Sequence, residues 1–180
     1  IAKIDYPRRQ SIQRNHSATH ILHEALRRVL GSHVKQMGSY LDDKVLRFDF
    51  PHFHKLNPQE IIDIEQIVND KVKENINVYA EEMSIDKANK IPHVKKFFGE
   101  KYGEKVRVVF IDDKFSIEFC GGTHVKDTSD IGLFKIVKEE SISSGTRRIF
   151  AKTGQGIIEH INERIAEIEK ISGDLPQKYA

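Results

Sequence analysis

Two pairs of metal-type donors, about a hundred residues apart, constrain this chain more than anything else in it. His16 and His20 stand four residues apart in "NHSATHILHEALRRVLG", and Cys120 and His124 stand four apart in "FCGGTH". On a helix, residues i and i+4 project from one face, so the histidine pair can aim two imidazoles at one point. A fold that joins the pairs must bring an early helix against a glycine-flanked turn from the second half.

The surrounding pattern supplies those elements. From Ser11 to Leu30, Ala18, Leu22, Ala25 and Val29 recur at helical spacing, and Gly31 offers a stop. His16, His20 and His23 share a different face, with Thr19 beside them. Two strand-like runs then flank Asp42 and Asp43, which reads as a hairpin. In "NPQEIIDIEQIVNDKVKENI", Asn57 suits an N-cap and Pro58 the first helical position. Ile61, Ile64, Ile67, Val68 and Val72 form the buried stripe of that helix.

A strand around Val78 to Met83 precedes a small helix that Ser84 can cap, and "KFFGEKYGEK" reads as a loop. Further strands are expected over Val106 to Ile111, Phe115 to Phe119, Gly132 to Glu139 and Thr146 to Lys152. A last helix, Gly156 to Ile171, places Ile157, Ile158, Ile161, Ile165 and Ile168 on one side. The fold class expected is α+β, mostly antiparallel sheet with helices packed on it. We expect residues 1–153 to form a zinc-containing domain and 154–180 a helix that starts a linker or helical segment of a parent chain.

Either pair alone would be ordinary, but three imidazoles and a thiolate together make a tetrahedral donor set that suits zinc over magnesium or calcium. Four protein donors also close a structural zinc shell, so the ligands by themselves do not show catalysis. Thr19 on the histidine face and Gln36 at the start of the hairpin are polar groups without ligand duty, read either as site residues or as a cap and a surface residue. A zincin peptidase does not fit, because Glu24 follows His23 but position 27 is arginine. The remaining histidines lack a partner pattern and read as flanking or packing residues.

Cys120 is the one cysteine, so no internal disulfide forms, in keeping with a reducing cytoplasm. No run is long enough to span a bilayer and no signal-peptide pattern opens the chain, so no membrane partner is expected. Net charge is only +2, so polyanion binding must come from local clusters such as Arg8-Arg9, Arg27-Arg28, Lys95-Lys96 or Arg147-Arg148. The bland reading of each doublet is solvated surface.

Six stretches, in order and over nearly the whole chain, resemble the editing domain of alanyl-tRNA synthetase, the second additional domain type of class II synthetases. They are "RNHSATHILHEALRRVLG", "QMGSYL", "LRFDF", "FGEKYGEKVRVV", "EFCGGTHV" and "IGLFKIVKEESISSGTRRIFAKTG". The threonyl-tRNA synthetase editing domain shares the paired ligands, but "CGGTH" and "SSGTRRI" look like the alanyl branch, which includes free-standing alanyl-tRNA editing proteins.

The resemblance implies hydrolysis of mischarged tRNA-Ala, clearing Ser-tRNA-Ala and Gly-tRNA-Ala. Glycine lacks one methyl group of alanine and loses only about 1–3 kcal/mol in an alanine pocket, while an added serine hydroxyl is rejected by roughly a hundredfold. The resemblance matches His16, His20, Cys120 and His124 to zinc ligands, Thr19 to recognition of the serine hydroxyl, Gln36 to ordering water or substrate, and Arg147 and Arg148 to contacts with tRNA phosphates. The implied partners are the tRNA-Ala acceptor end carrying a wrong amino acid and the remainder of the synthetase. Ile1 in place of an initiator methionine, with the isoleucine-rich final helix, is read as an excised domain rather than a free-standing one. The alternatives are threonyl-type editing of Ser-tRNA-Thr and a structural zinc module that positions tRNA.

Overall fold

The computed structural model describes residues 3–96 and 102–173. The first helix, α1, spans Tyr6–Leu30 and starts five residues before its apolar pattern does. Asp5 caps it by accepting the Arg8 amide, and Pro7 occupies the first turn, where a missing N–H costs nothing. That opening turn is exposed, so it carries no hydrophobic period to read. Ala18, Ile21, Leu22, Ala25 and Leu26 are fully buried along one side of the helix.

The hairpin β1 (Gly38–Leu41) and β2 (Leu46–Pro51) turns through Asp42, whose carboxylate accepts the Lys44 and Val45 amides. Helix α2 (Pro58–Lys73) opens with a full capping box: the Asn57 side chain takes the Glu60 amide and Glu60 returns to the Asn57 amide. Ile64, Val68 and Val72 are its buried stripe. Strand β3 (Val78–Ser84) leads into the four-residue helix α3 (Ile85–Ala88), capped by Ser84 as expected. Within "KFFGEKYGEK", residues 97–101 lie outside the described residues, and β4 begins at Lys105.

Strands β4 (Lys105–Ile111) and β5 (Ser116–Phe119) form the second hairpin. Phe115, expected in the strand, belongs to its turn, because Asp112 adopts φ 61° and accepts the Phe115 amide. Strands β6 (Phe134–Ser143) and β7 (Thr146–Thr153) form the third. β6 runs four residues past the expected Glu139, carried by pairing with β7 through two register shifts rather than by burial.

Seven strands thus divide into two antiparallel sheets, of order β1-β2-β7-β6 and β3-β4-β5. Helix α1 touches strands of both, β2 and β7 in one and β5 in the other. β4 is buried on both faces: Val109 and Ile111 join the main core, while Val108 and Phe110 join a second cluster with Met83, Ile117 and Phe119. The last helix, α4, spans Gln155–Gly173. Ile157 is buried, but Ile158, Ile161, Ile165 and Ile168, the rest of its apolar stripe, are exposed.

Candidate metal centre

Because α1 runs along the end of β5, the two donor pairs meet. The ligand atoms of His16, His20, Cys120 and His124 all lie within 4.8 Å of one another. Cys120 Sγ is 3.3 Å from His16 Nε2 and 3.4 Å from His124 Nε2. Tetrahedral zinc with its usual bond lengths places neighbouring donors about 3.3–3.6 Å apart, so these two edges fit. His20 Nε2 is buried and has no hydrogen-bond partner among the described residues. A buried nitrogen in that state is costly unless something else meets it, which an ion would do. The cluster could hold a metal ion.

Each imidazole is held by its other nitrogen. His16 Nδ1 lies 3.2 Å from the Thr123 carbonyl oxygen, an acceptor only, so Nδ1 carries the proton and Nε2 faces the cluster with its lone pair. His20 Nδ1 is 2.6 Å from Glu118 Oε2, and His124 Nδ1 is 3.1 Å from Ser17 Oγ. Such partners fix ring orientation at metal sites, and an acceptor such as the Glu118 carboxylate also fixes the tautomer. The same Ser17 hydroxyl accepts the Val125 amide, so one residue of α1 grips the turn at two points.

The glycines of the turn are unequal. A Cβ on Gly122 would stand 2.0 Å from His16 Cε1, whereas one on Gly121 would meet nothing within 4 Å. Gly122 is therefore the position that lets the helix approach. Arg107 on β4 donates to the carbonyls of Cys120 and Gly122, both at 2.8 Å, and the Gly122 amide donates to Cys120 Sγ. Gln13 donates to Thr123 Oγ1. Backbone and side chains together hold the turn against α1.

Glu118 is the member that sequence spacing left out. It is 2 % exposed, and its carboxylate takes His20 on Oε2 and Ser116 Oγ and Lys95 Nζ on Oε1, at 3.1 and 3.2 Å. Burial alone would raise its pKa, but the charge of His20 and the hydrogen bond from it lower the carboxyl well below the usual range. The Cys120 thiol behaves likewise. Burial opposes ionisation, yet the close imidazoles of His124, His16 and His20 bring its pKa down to about 3, so the sulfur is a thiolate ready for a cation. Strand alternation carried a signal, since Ser116 and Glu118 fall on one side of β5 and Cys120 follows two residues on, just past its end.

A cavity of about 670 Å³ opens beside the cluster, bounded among others by His16, Cys120, Gln36, Lys105 and Arg107. Gln36 donates to Ser39 Oγ, and its carbonyl oxygen takes no hydrogen bond among the described residues. Thr19 is 5 % exposed and does not border this cavity; its hydroxyl donates to the Asn15 carbonyl one turn back, so any further bond must be one it accepts. Arg147 and Arg148 sit on β7, also away from the cavity. Arg147 is paired with Glu139, and Arg148 with Asp49 through two hydrogen bonds of 2.7 Å. Their guanidinium charge is already matched by carboxylates.

Comparison with known proteins gives one consistent picture. Residues 106–150 match the family described as the threonyl and alanyl tRNA synthetase second additional domain. The chain is 51 % identical over 176 residues to an alanine–tRNA ligase of Acetivibrio thermocellus, covering 98 % of this chain and 19 % of the ligase. The corresponding enzyme of Colwellia psychrerythraea is 50 % identical over 171 residues, 95 % of this chain and 19 % of that one. That of Bacillus pumilus is 47 % identical over 174 residues, 97 % and 20 %. The chain therefore spans about a fifth of the length of these relatives.

Proposed function

Because the chain belongs with the alanine–tRNA ligases, in the part that carries the second additional domain of threonyl and alanyl tRNA synthetases, we propose that it hydrolyses mischarged tRNA-Ala, clearing seryl and glycyl esters. The observation that carries this reading is the joining of two donor pairs on α1 and after β5, next to a cavity large enough for an aminoacylated nucleotide end. Work in the cytoplasm suits a site whose one thiol must stay reduced.

His16, His20, Cys120 and His124 would hold zinc, since three imidazole nitrogens and a thiolate are its donors rather than those of a hard oxygen-seeking ion. When bound, the ion supplies positive charge that anchors the aminoacyl ester. The chain's own groups do the rest. Thr19, whose proton is held by the Asn15 carbonyl, accepts a hydrogen bond from the serine hydroxyl. The carbonyl oxygen of Gln36 orders the attacking water at the cavity wall. Water adds to the ester carbonyl, the ester C–O bond breaks, and the ribose hydroxyl leaves with a proton. An alanyl ester sets a methyl group against the Thr19 acceptor and leaves it unpaired, which disfavours it, whereas a glycyl ester leaves room there for water. Arg147 and Arg148 remain candidate contacts for RNA phosphates, through the edges that their carboxylates leave open.

Deacylation of Ser-, Gly- and Ala-tRNA-Ala, before and after complete chelation, tests the proposal. Expected is rapid loss of the seryl and glycyl esters, little loss of the alanyl ester, and collapse of activity on metal removal. Seryl hydrolysis that survives chelation would overturn the role given to zinc. Adding Ser-tRNA-Thr separates the threonyl alternative, which the identity to alanine–tRNA ligases disfavours. A purely structural zinc module would show no hydrolysis at all and would unfold on Cys120→Ala.

A further inference from the structure

A second cavity, of about 600 Å³, lies on the other side of Gln36, which borders both. Its walls carry Arg27, Lys35, Lys95, Lys96 and Lys114 against the carboxylates of Glu24 and Asp113. The whole chain has a net charge of only +2, so this one wall gathers a larger surplus than the entire molecule shows. The charges are not equivalent. Lys95 is matched by Glu24 and Glu118, and Arg27 is tied to the carbonyls of Ser32 and Val34. Lys35, Lys96 and Lys114 are exposed, and no carboxylate among the described residues pairs with them. Three unmatched ammonium groups around one concavity raise the local concentration of a polyanion.

The wall holds a second observation. His23 borders this cavity and is 7 % exposed; its Nδ1 faces Glu118 Oε1 at 3.3 Å, and its Nε2 has no hydrogen-bond partner among the described residues. Buried polar atoms without a partner are rare in a finished structure. His93, with φ 60°, also lines this cavity and is exposed.

We propose that this cavity receives the phosphodiester stretch leading up to the acylated nucleotide, as single-stranded RNA. Lys35, Lys96 and Lys114 meet successive phosphates, His93 offers a stacking face for an unpaired base, and His23 meets a hydroxyl or phosphate oxygen. Gln36 marks the passage through which the terminal ester reaches the donor cluster. An acidic protein segment would meet the lysines equally well but would use neither the exposed imidazole of His93 nor the unpartnered Nε2 of His23. The proposal rests on the hydrolytic reading for its direction and extends it to the rest of the substrate.

Direct binding separates the two. A fluorescently labelled, uncharged-end RNA tetranucleotide and a deacylated tRNA are titrated against the wild-type chain and the triple variant Lys35→Ala, Lys96→Ala, Lys114→Ala, at several salt concentrations. Each lost phosphate contact should reduce the slope of log affinity against log salt by about 0.7, so the triple variant should lose about two from the slope and at least tenfold in affinity. Lys135→Ala, at a surface lysine paired with Glu65, should bind as wild type does. Unchanged affinity and slope in the triple variant, no measurable RNA binding by the wild type, or tighter competition by poly-glutamate than by RNA would each overturn this assignment. None of those results bears on seryl-ester hydrolysis. Conversely, a chain that binds the tetranucleotide through these lysines but hydrolyses no ester would sink the hydrolytic reading and leave the RNA site standing.

Discussion

Glu118 Oε2 lies 2.6 Å from His20 Nδ1, and both residues are almost wholly buried. This contact decides the direction of the imidazole: with Nδ1 engaged, Nε2 can only face the cluster of donors. The same carboxylate is shared with Lys95 and Ser116, so it also meets the charge of the largely buried Lys95 ammonium group.

Removing that carboxylate should therefore weaken metal binding more than its distance from the ion suggests. Glu118→Gln keeps the shape and is expected to lower metal affinity by about 10–100-fold. Glu118→Ala, which takes the partner of buried His20 and leaves Lys95 to Glu24 alone, should cost about 3 kcal/mol of stability. Competition with a chromogenic chelator and urea denaturation check the two values. Wild-type affinity in Glu118→Gln would show that His20 is oriented by its packing alone.

The two adjacent glycines should differ sharply. Gly122→Ala drives a methyl group into the His16 ring, so the helix must retreat or the ring must leave the cluster. Expected is loss of bound metal, read by atomic absorption after dialysis, together with loss of the proposed hydrolysis. Gly121→Ala has open space before it and should keep its metal. Equal metal content in both variants would contradict the close approach of α1 to this turn.

Thr19 offers an acceptor and no free proton. Thr19→Val preserves size, removes the acceptor, and should reduce hydrolysis of the seryl ester by at least tenfold relative to the glycyl ester. The ratio of the two rates is the informative quantity, since a fold defect lowers both. A ratio equal to wild type would remove Thr19 from hydroxyl recognition.

Far from the site, the hydrogen bond from Lys71 holds the Asp112 carboxyl below its ordinary pKa, against the smaller opposing effect of burial. A carboxyl lowered in the folded state adds stability that is present above its unfolded pKa of about 3.9 and is lost as pH falls through the folded value. Asp112→Asn also tolerates the left-handed backbone at this position, so the substitution isolates the charge. It should cost about 0.5 kcal/mol at neutral pH for this partly exposed pair, and nothing at an acid pH below the folded value. Urea denaturation at both values measures the difference.

Much of the fold is legible without coordinates, for local reasons. Asn57 with Glu60 three residues on, the Asp42 turn and the Ser84 cap are each settled by short-range hydrogen bonds that a few neighbouring residues dictate. Where burial did not mark an element, its limits escaped: the first turn of α1 and the far end of β6 are exposed, so no apolar period announces them. The α4 stripe shows the reverse, an apolar period whose outer isoleucines remain exposed.

The site divides in the same way. Its donors were readable because three imidazoles and one thiolate at four-residue spacings are a chemical pattern before they are a spatial one. Which basic groups carry unmatched charge was not, because charge pairing is made across elements: Asp49 on β2 takes Arg148 on β7, while Lys35, Lys96 and Lys114 come from three separate segments to one cavity. Composition and spacing thus set what this chain is able to bind. The packing of α1 between two sheets sets where, since only that packing brings Glu118 to His20 and leaves Gly122 open to His16, contacts between residues about a hundred positions apart that no local rule can encode.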